Sequence, residues 1–582
     1  MDWRRILFLC NFLPFLWLVP SAWAKTALKP TRIASESLWA QNQPTRADQD
    51  RFPQSLPSPI EQEVIPIPLD PPTPEPTRGT VQTQPFEISR IEVTGNSLFD
   101  QEINAITEPL AGKTVSLEIL WEVRDKITQL YLDAGYLTSG AVLEPQALEG
   151  GVVQIRVIEG QLEGEINVEG THRLSQDYIR SRVGLGVETP LNVNNLEIQL
   201  RLLLANPLLD TVEPTLKPGT QEGLSILTVK VSEADPFEGR LSFDNYSPPS
   251  IGSERLGANV RFQNFSGFGD VFSAAYYRTT SGGSNIVDVA YQAPLSPHEG
   301  TLQLAAQINR NEITQSPLDE LGIEGNSERY EINYRQPIVR SPTEELALSL
   351  GFAFQDGQTF VFDRPTPFGI GPDEDGNSRT RVVQFGQDYV LRDPQGAWSF
   401  RSLFNVGTGL FDATRNSGSI PDGQFFSWLA QAQRAQRLNQ DHLLIVRLDL
   451  QLTPDSLLPS EQFVIGGGQS VRGYQQNIRS GDNGVRFSVE DRITVVRNKT
   501  AAYLLQFAPF IDLGAVWNNS ENPNPQPDQR FLAGAGLGIL WQPIQDLNIR
   551  LDYGLPFIDL DDRGDNLQDD GFYFTIDYGV TF

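Results

Sequence analysis

From about residue 236 to the end of the chain, apolar and polar side chains alternate one for one, segment after segment. In the last segment Phe572, Phe574, Ile576, Tyr578, Val580 and Phe582 fall on one face, and Tyr573, Thr575, Asp577, Gly579 and Thr581 on the other. Leu346, Leu348, Leu350, Phe352 and Phe354 oppose Ala347, Ser349, Gly351, Ala353 and Gln355 in the same way. So do Leu444, Val446, Leu448, Leu450 and Leu452 against Arg447, Asp449 and Gln451, and Ile549, Leu551, Tyr553 and Leu555 against Asn548, Arg550, Asp552 and Gly554. Successive strand side chains point to opposite faces, so each segment is greasy on one side and wet on the other. A soluble sheet shows this once or twice. Its recurrence through the whole C-terminal half predicts a closed barrel with lipid outside and water inside. Roughly 345 residues at about 20 per strand and turn predict about 16 strands, enough to leave an aqueous channel.

The pattern before residue 236 is different. Phe86–Val93 alternates as a strand and turns at Thr94-Gly95-Asn96. A short helix over Gln101–Pro109 and a longer one capped by Ser116 follow, the second with Leu117, Leu120, Trp121, Val123, Ile127, Leu130 and Tyr131 near helical spacing. After Asp133-Ala134-Gly135 come two strands, Leu137–Leu143 and Val152–Ile158. The order β-α-α-β-β then repeats, because Ile166-Asn167-Val168-Glu169-Gly170 echoes Ile91-Glu92-Val93-Thr94-Gly95. Helices over Ser175–Val183 and Val193–Ala205 and strands over Leu209–Leu216 and Ser225–Val231 complete the second copy. A repeated unit is harder to obtain by accident than a single element.

Ahead of both copies, residues 1–24 read as a secretory leader, with Arg4 and Arg5 before the apolar run Ile6–Val19 and Ala22-Trp23-Ala24 at its end. Residues 25–85 are a spacer rich in Pro, Gln, Ser and Thr, which cannot bury a core. Within it, residues 33–47 are expected to form one short helix. Hydrophobic residues make up only 39% of the chain, a soluble-looking figure that a barrel also gives because only alternate residues face lipid. The net charge of −28, with no basic stripe, argues against a nucleic-acid partner. Cys10, the single cysteine, lies inside the leader, so the mature chain is expected to have neither disulfides nor thiolate metal sites. His172, His298 and His442 lack metal-site spacing, so no metal centre and no cofactor are expected.

Gly466-Gly467-Gly468-Gln469-Ser470-Val471-Arg472-Gly473-Tyr474 is the strongest local motif. Its glycines lack the Lys-Ser/Thr of a nucleotide-binding loop. With the two β-α-α-β-β modules before an alternating barrel region, it resembles the two-partner secretion transporters of the haemolysin and filamentous-haemagglutinin exporter family. The resemblance covers about residues 86–582. It implies polypeptide-transport-associated (POTRA) domains at 86–160 and 161–235 in the periplasm, and an outer-membrane barrel over 236–582. The fold class implied is thus an all-β transmembrane barrel of about 16 antiparallel strands with two α+β POTRA domains.

Val471, Arg472, Gly473 and Tyr474 then match the tip of a long sixth loop that folds back into the lumen. Phe510, Asp512 and Gly514 in Phe510-Ile511-Asp512-Leu513-Gly514 match the Phe-x-Asp-x-Gly motif whose aspartate pairs with the loop arginine. An arginine offers such a carboxylate a permanently charged fork. Alternation leaves two arrangements open: Asp512 faces inward with Phe510, or the strand is bulged there. A solvated loop aspartate is the plainer alternative. Phe582 resembles the terminal aromatic by which outer-membrane barrels are recognised for insertion; it is also readable as an interface-belt aromatic.

The function implied is export of one large secreted partner, unfolded in transit, received at open sheet edges of the POTRA domains. The partners are that passenger, the lipid of the outer membrane and the barrel-assembly machinery. A barrel-assembly factor of the same superfamily is the alternative, although such factors typically carry more modules. No Ser-His-Asp or paired-acid constellation supports an enzyme, and the family resemblance makes none expected. A helix at 33–47 plugging the pore is a further implication of the resemblance.

Overall fold

The computed structural model describes residues 85–498 and 503–581. The leader expected at 1–24, the spacer expected at 25–85 up to residue 84, the helix expected at 33–47 and Phe582 lie outside the described residues.

The first module packs the helices Asp100–Thr107 and Leu117–Asp133 on a three-stranded sheet, in which Val152–Ile158 is central between Arg90–Thr94 and Gly140–Val142. Ile103, Leu120, Val123, Ile127, Tyr131, Val153, Ile155 and Val157 fill the core between the layers. The strand expected over Phe86–Val93 is two pieces. Phe86–Glu87 pairs with Thr114–Val115, whereas Arg90–Thr94 joins the main sheet. The chain changes sheets at Ile88-Ser89, whose amides donate to Lys113 and Gly151 respectively. The strand expected over Leu137–Leu143 shortens to Gly140–Val142. Beyond it, the Gln146 side chain takes the place of a neighbouring strand, accepting from the Gln154 amide at 2.6 Å and donating to the Gln154 carbonyl at 2.7 Å.

In the second module Gln176–Val183 and Val193–Leu204 lie on a sheet built around Leu224–Glu233. Ser175 and Asn192 cap the two helices through their side chains. The long outer strand, Leu209–Pro218, carries Pro214 and Pro218. Neither can donate into a ladder, so this edge is partly closed to further strands.

Sixteen long antiparallel strands, from Phe237–Asp244 to Phe572–Thr581, close into a barrel. A two-residue piece, Arg364–Pro365, only lengthens one hairpin. The first and last strands pair over Glu238–Asp244 against Thr575–Thr581, and this removes the sheet's free edges. The alternation holds along most of each strand and slips only at irregularities near Ile338, Val495 and Gln542. Leu350, Leu448, Leu551 and Phe572 are exposed on the outer wall, while Ala353, Gln355, Asp449, Asp552 and Tyr573 are buried within. Charges placed on the outer wall would cost about 2–4 kcal/mol each at the membrane midplane. At the end away from the modules, the sixth connection spans residues 453–482 and is much the longest.

Candidate functional site

Residues 453–482 leave the strand His442–Leu452 and do not stay outside. A short hairpin, Phe463–Ile465 with Arg479–Gly481, carries the loop inward, and its tip lies on the inner wall. Val471 is fully buried in an apolar cluster with Phe463, Val464, Ile465, Tyr474 and Ile478 of the loop and Leu403, Leu429, Val516 and Leu532 of the wall. Those four wall residues point inward, where alternation alone predicts polar groups. The loop is what keeps them dry.

Arg472 is the centre of the site. Its Nε donates to Asp512 Oδ2 at 2.6 Å and its Nη2 to Asp512 Oδ1 at 3.0 Å. Its backbone amide also donates to Asp512 Oδ2, at 3.2 Å. Nη1 reaches Glu490 at 2.8 Å and stands 3.7 Å from Asp552. The guanidinium carbon lies 3.3 Å from the centroid of the Phe510 ring, a cation–π contact. Ser488 donates to the remaining face of Asp512 at 2.7 Å. Arg550 bridges Glu490 and Asp552, at 2.7 and 2.6 Å, and Arg492 holds Glu490 at 2.8 Å. Three guanidiniums thus meet three carboxylates drawn from three strands, and charge balances inside the cluster. Buried pairs of this kind are tolerated only when every member is satisfied.

Asp512 is fully buried, so the solvated-loop alternative is excluded. The strand Tyr503–Trp517 runs in unbroken register past it, with Phe510, Asp512 and Gly514 inward and Ile511 outward. Of the two arrangements left open by alternation, the inward one is present, without a bulge at that point.

The wall is flattened to receive the tip. A Cβ at Gly534 would stand 2.2 Å from the Arg472 carbonyl oxygen, and one at Gly554 would stand 2.7 Å from the Gly473 nitrogen. Gly473 itself has φ of +104°, a conformation that disfavours other residues. Tyr573 of the last strand accepts from the Gly473 amide at 2.9 Å and donates to the Tyr474 carbonyl at 2.6 Å. The Tyr474 hydroxyl donates to the Ala533 carbonyl at 2.8 Å and accepts from the Ile558 amide at 3.1 Å.

All seven motif residues from 471 to 514 are therefore brought together. Glu490, Asp552, Arg550, Tyr573, Gly534 and Gly554 join them without having been singled out from the sequence. The available signal was parity: Arg550, Asp552, Gly554 and Tyr573 stand on polar faces of their strands. Among the described residues no group of His, Cys, Asp and Glu is arranged to hold a metal ion.

Residues 223–540 match the family described as haemolysin secretion/activation protein ShlB/FhaC/HecB, and residues 86–160 match the ShlB-type POTRA domain. The outer membrane transporter CdiB of Dickeya dadantii (strain 3937) is 22% identical over 449 residues, 75% of this chain and 77% of that one. The heme/hemopexin transporter protein HuxB of Haemophilus influenzae (strain 86-028NP) is 22% identical over 406 residues, 69% of this chain and 71% of its own length. The solved structure of CdiB from Escherichia coli has the same fold, with a TM-score of 0.67 at 22% identity over 87% of this chain and 93% of that one. The chain belongs to the ShlB/FhaC/HecB family, non-enzymatic outer-membrane transporters of two-partner secretion whose POTRA modules lie in the periplasm.

Proposed function

We propose that this protein receives an unfolded secreted partner at its POTRA modules and exports it through the barrel, with the Arg472–Asp512 clasp holding the sixth loop in its transport-competent place. The observation that carries the reading is the position of the clasp. It ties the loop to one inner wall through fully buried, charge-balanced contacts, with the facing cavity of about 600 Å³ lined by Tyr246, Gln433, Arg447, Arg492, Asn548 and Asp577. An extended chain gains main-chain hydrogen bonds at a sheet edge without needing a particular sequence. The outer strands Arg90–Thr94 and Asn167–Glu169 offer such edges; Leu209–Pro218 does so only away from Pro214 and Pro218. Phe582 serves in the same scheme as the insertion signal read by the barrel-assembly machinery.

The test uses the full chain in lipid nanodiscs. Tight binding to the N-terminal part of a large repetitive secreted protein encoded beside this gene, with none to unfolded barrel proteins, is the expected result. The reverse preference would identify a barrel-assembly factor instead. Deleting Phe582 is expected to lower the amount of folded, heat-modifiable barrel in membranes; unchanged insertion would leave Phe582 as a belt aromatic alone.

A further inference from the structure

The first periplasmic turn of the barrel, residues 264–270, faces two ways at once. Gly267 and Gly269 meet the second POTRA module. The Ser175 amide, at the cap of its first helix, donates to the Gly267 carbonyl at 3.0 Å. At Gly269, with φ of +81°, a Cβ would stand 2.4 Å from Tyr178 Cε2, so the tyrosine ring lies directly on the backbone. Arg182 covers the same ring, 3.4 Å from its centroid, and donates to Glu299 on the next periplasmic turn at 2.6 Å. Module and rim are thereby fixed to each other.

Between these contacts Phe265 and Phe268 are 64% and 68% exposed. They are not on a floppy tip. Asn264 Oδ1 accepts from the Gly269 amide at 3.0 Å, Asp270 Oδ1 accepts from the Ser266 amide at 2.8 Å, and Asp270 Oδ2 accepts from the Tyr291 hydroxyl at 2.8 Å. The Phe265 ring packs edge-on against Phe262 at 5.7 Å and lies 6.2 Å from Phe272. Phe262 and Phe272 are a register pair on the face shared with Leu256 and Tyr276, the outer wall. Phe265 therefore prolongs the lipid-facing surface past the end of the strands, on the outside of the barrel. The adjoining rim continues it, with Leu295 60%, Ile338 57% and Val339 41% exposed.

We propose that residues 264–270 seat in the headgroup layer of the periplasmic leaflet, with Phe265 and Phe268 inserted among phospholipids while Gly267 and Gly269 hold the second POTRA module. Exposed aromatics on a rigid turn, continuous with a surface already in lipid, fit the amphipathic membrane boundary better than open water. The module then rests against the membrane at this rim, and the leaflet is one of the supports that set its angle to the lumen.

The chain's only cysteine lies in the leader, so one introduced cysteine can report on the turn. Full-length Phe268→Cys and Phe265→Cys proteins, with Cys10 replaced by Ser, would be labelled with an environment-sensitive fluorophore and reconstituted in phosphatidylethanolamine–phosphatidylglycerol vesicles. A label inserted about 5–10 Å below the surface should be quenched strongly by nitroxide lipids carrying shallow spin labels and little by aqueous iodide. Gln395→Cys, on another periplasmic turn, gives the water-exposed reference. Iodide quenching at 265 and 268 equal to that reference, without nitroxide quenching, overturns the proposal. Protection from iodide that appears only when a secreted partner protein is added overturns it too, because the aromatics then serve a protein. A Phe268→Asp protein labelled instead at Gln176→Cys, and checked for folding by heat modifiability, should show weaker nitroxide quenching at 176 than its Phe268 parent; equal quenching overturns the link between the turn and the module's position.

Discussion

The two sides of the lumen are written differently. One wall, built from strands between His442 and Thr581, carries the sixth loop, the six-charge cluster around Arg472 and inward apolar residues such as Val516 and Leu532. The other, built from strands between Arg255 and Glu331, faces a cavity of about 390 Å³ lined by strand residues alone, where small groups such as Ser273, Ala275 and Ala305 sit beside Arg261, Asp288, Arg329 and Glu331. Charges of that wall are satisfied within it, Arg329 by Glu331 at 2.8 Å and Asp288 by Gln307 at 2.6 Å, whereas the Arg472 cluster joins a loop residue to the wall, so there the ion pairs hold a separate segment in place. The difference suggests a division of labour: one wall anchors and the other leaves room.

The sharpest way to break that comparison is Arg472→Ala. It strands Asp512, Glu490 and Asp552 with one cation fewer, a local cost of about 3–5 kcal/mol. We expect export to be abolished while the barrel still inserts and keeps its heat modifiability, because the strand ladders are untouched. Normal secretion by this variant, measured as passenger in the medium, would remove the clasp from the mechanism.

Gly534→Val acts on the same wall by steric means. Its Cβ would stand 2.2 Å from a backbone oxygen of the loop, which cannot rotate away. Export should fall to a small fraction of the wild type, with protease sensitivity appearing in residues 453–482. Gly351→Val on the strand Glu344–Val361, next to the other wall, where the two nearest neighbours of a Cβ are side-chain oxygens at 3.2 and 3.3 Å, should be much milder. Equal damage from both would erase the distinction between walls.

Tyr573→Phe removes one hydroxyl that serves two loop peptide groups, leaving the Gly473 amide and Tyr474 carbonyl short of partners at a cost of about 1–3 kcal/mol. A partial loss of export and faster amide exchange at the loop tip are the expected outcomes. The smallest effect is predicted for Ala275→Trp, which fills space on the wall that carries no loop. Single-channel conductance in planar bilayers should drop by less than about twofold, with the loop tip still protected from exchange. A change in loop protection would mean that the walls are coupled.

Much of this protein is legible in its sequence. The barrel, its inward and outward faces and the order of elements in both modules follow from periodicity, which is local: a one-residue slip along a strand would put Leu350 in water and Ser349 in lipid. The pairing of Arg472 with Asp512 came from resemblance to a family motif, and alternation alone left the direction of Asp512 open. Boundaries were less legible. Nothing local marks the sheet change at Ile88-Ser89, and the strand ending at Leu143 is cut short by the side chain of Gln146, a contact made across eight residues.

By itself, then, the sequence determined a two-faced sheet long enough to close, two repeated α+β modules before it, and a glycine-flanked arginine on a long connection. Only the tertiary structure decided that Glu490 and Asp552 share that arginine with Asp512, that Arg550 and Arg492 balance them, and that Gly534, Gly554 and Tyr573 form the seat beneath it. The reason is physical. Closing the barrel staggers neighbouring strands by a register that depends on all of them together, and which inward groups meet a re-entrant loop is fixed by that stagger rather than by any spacing along the chain.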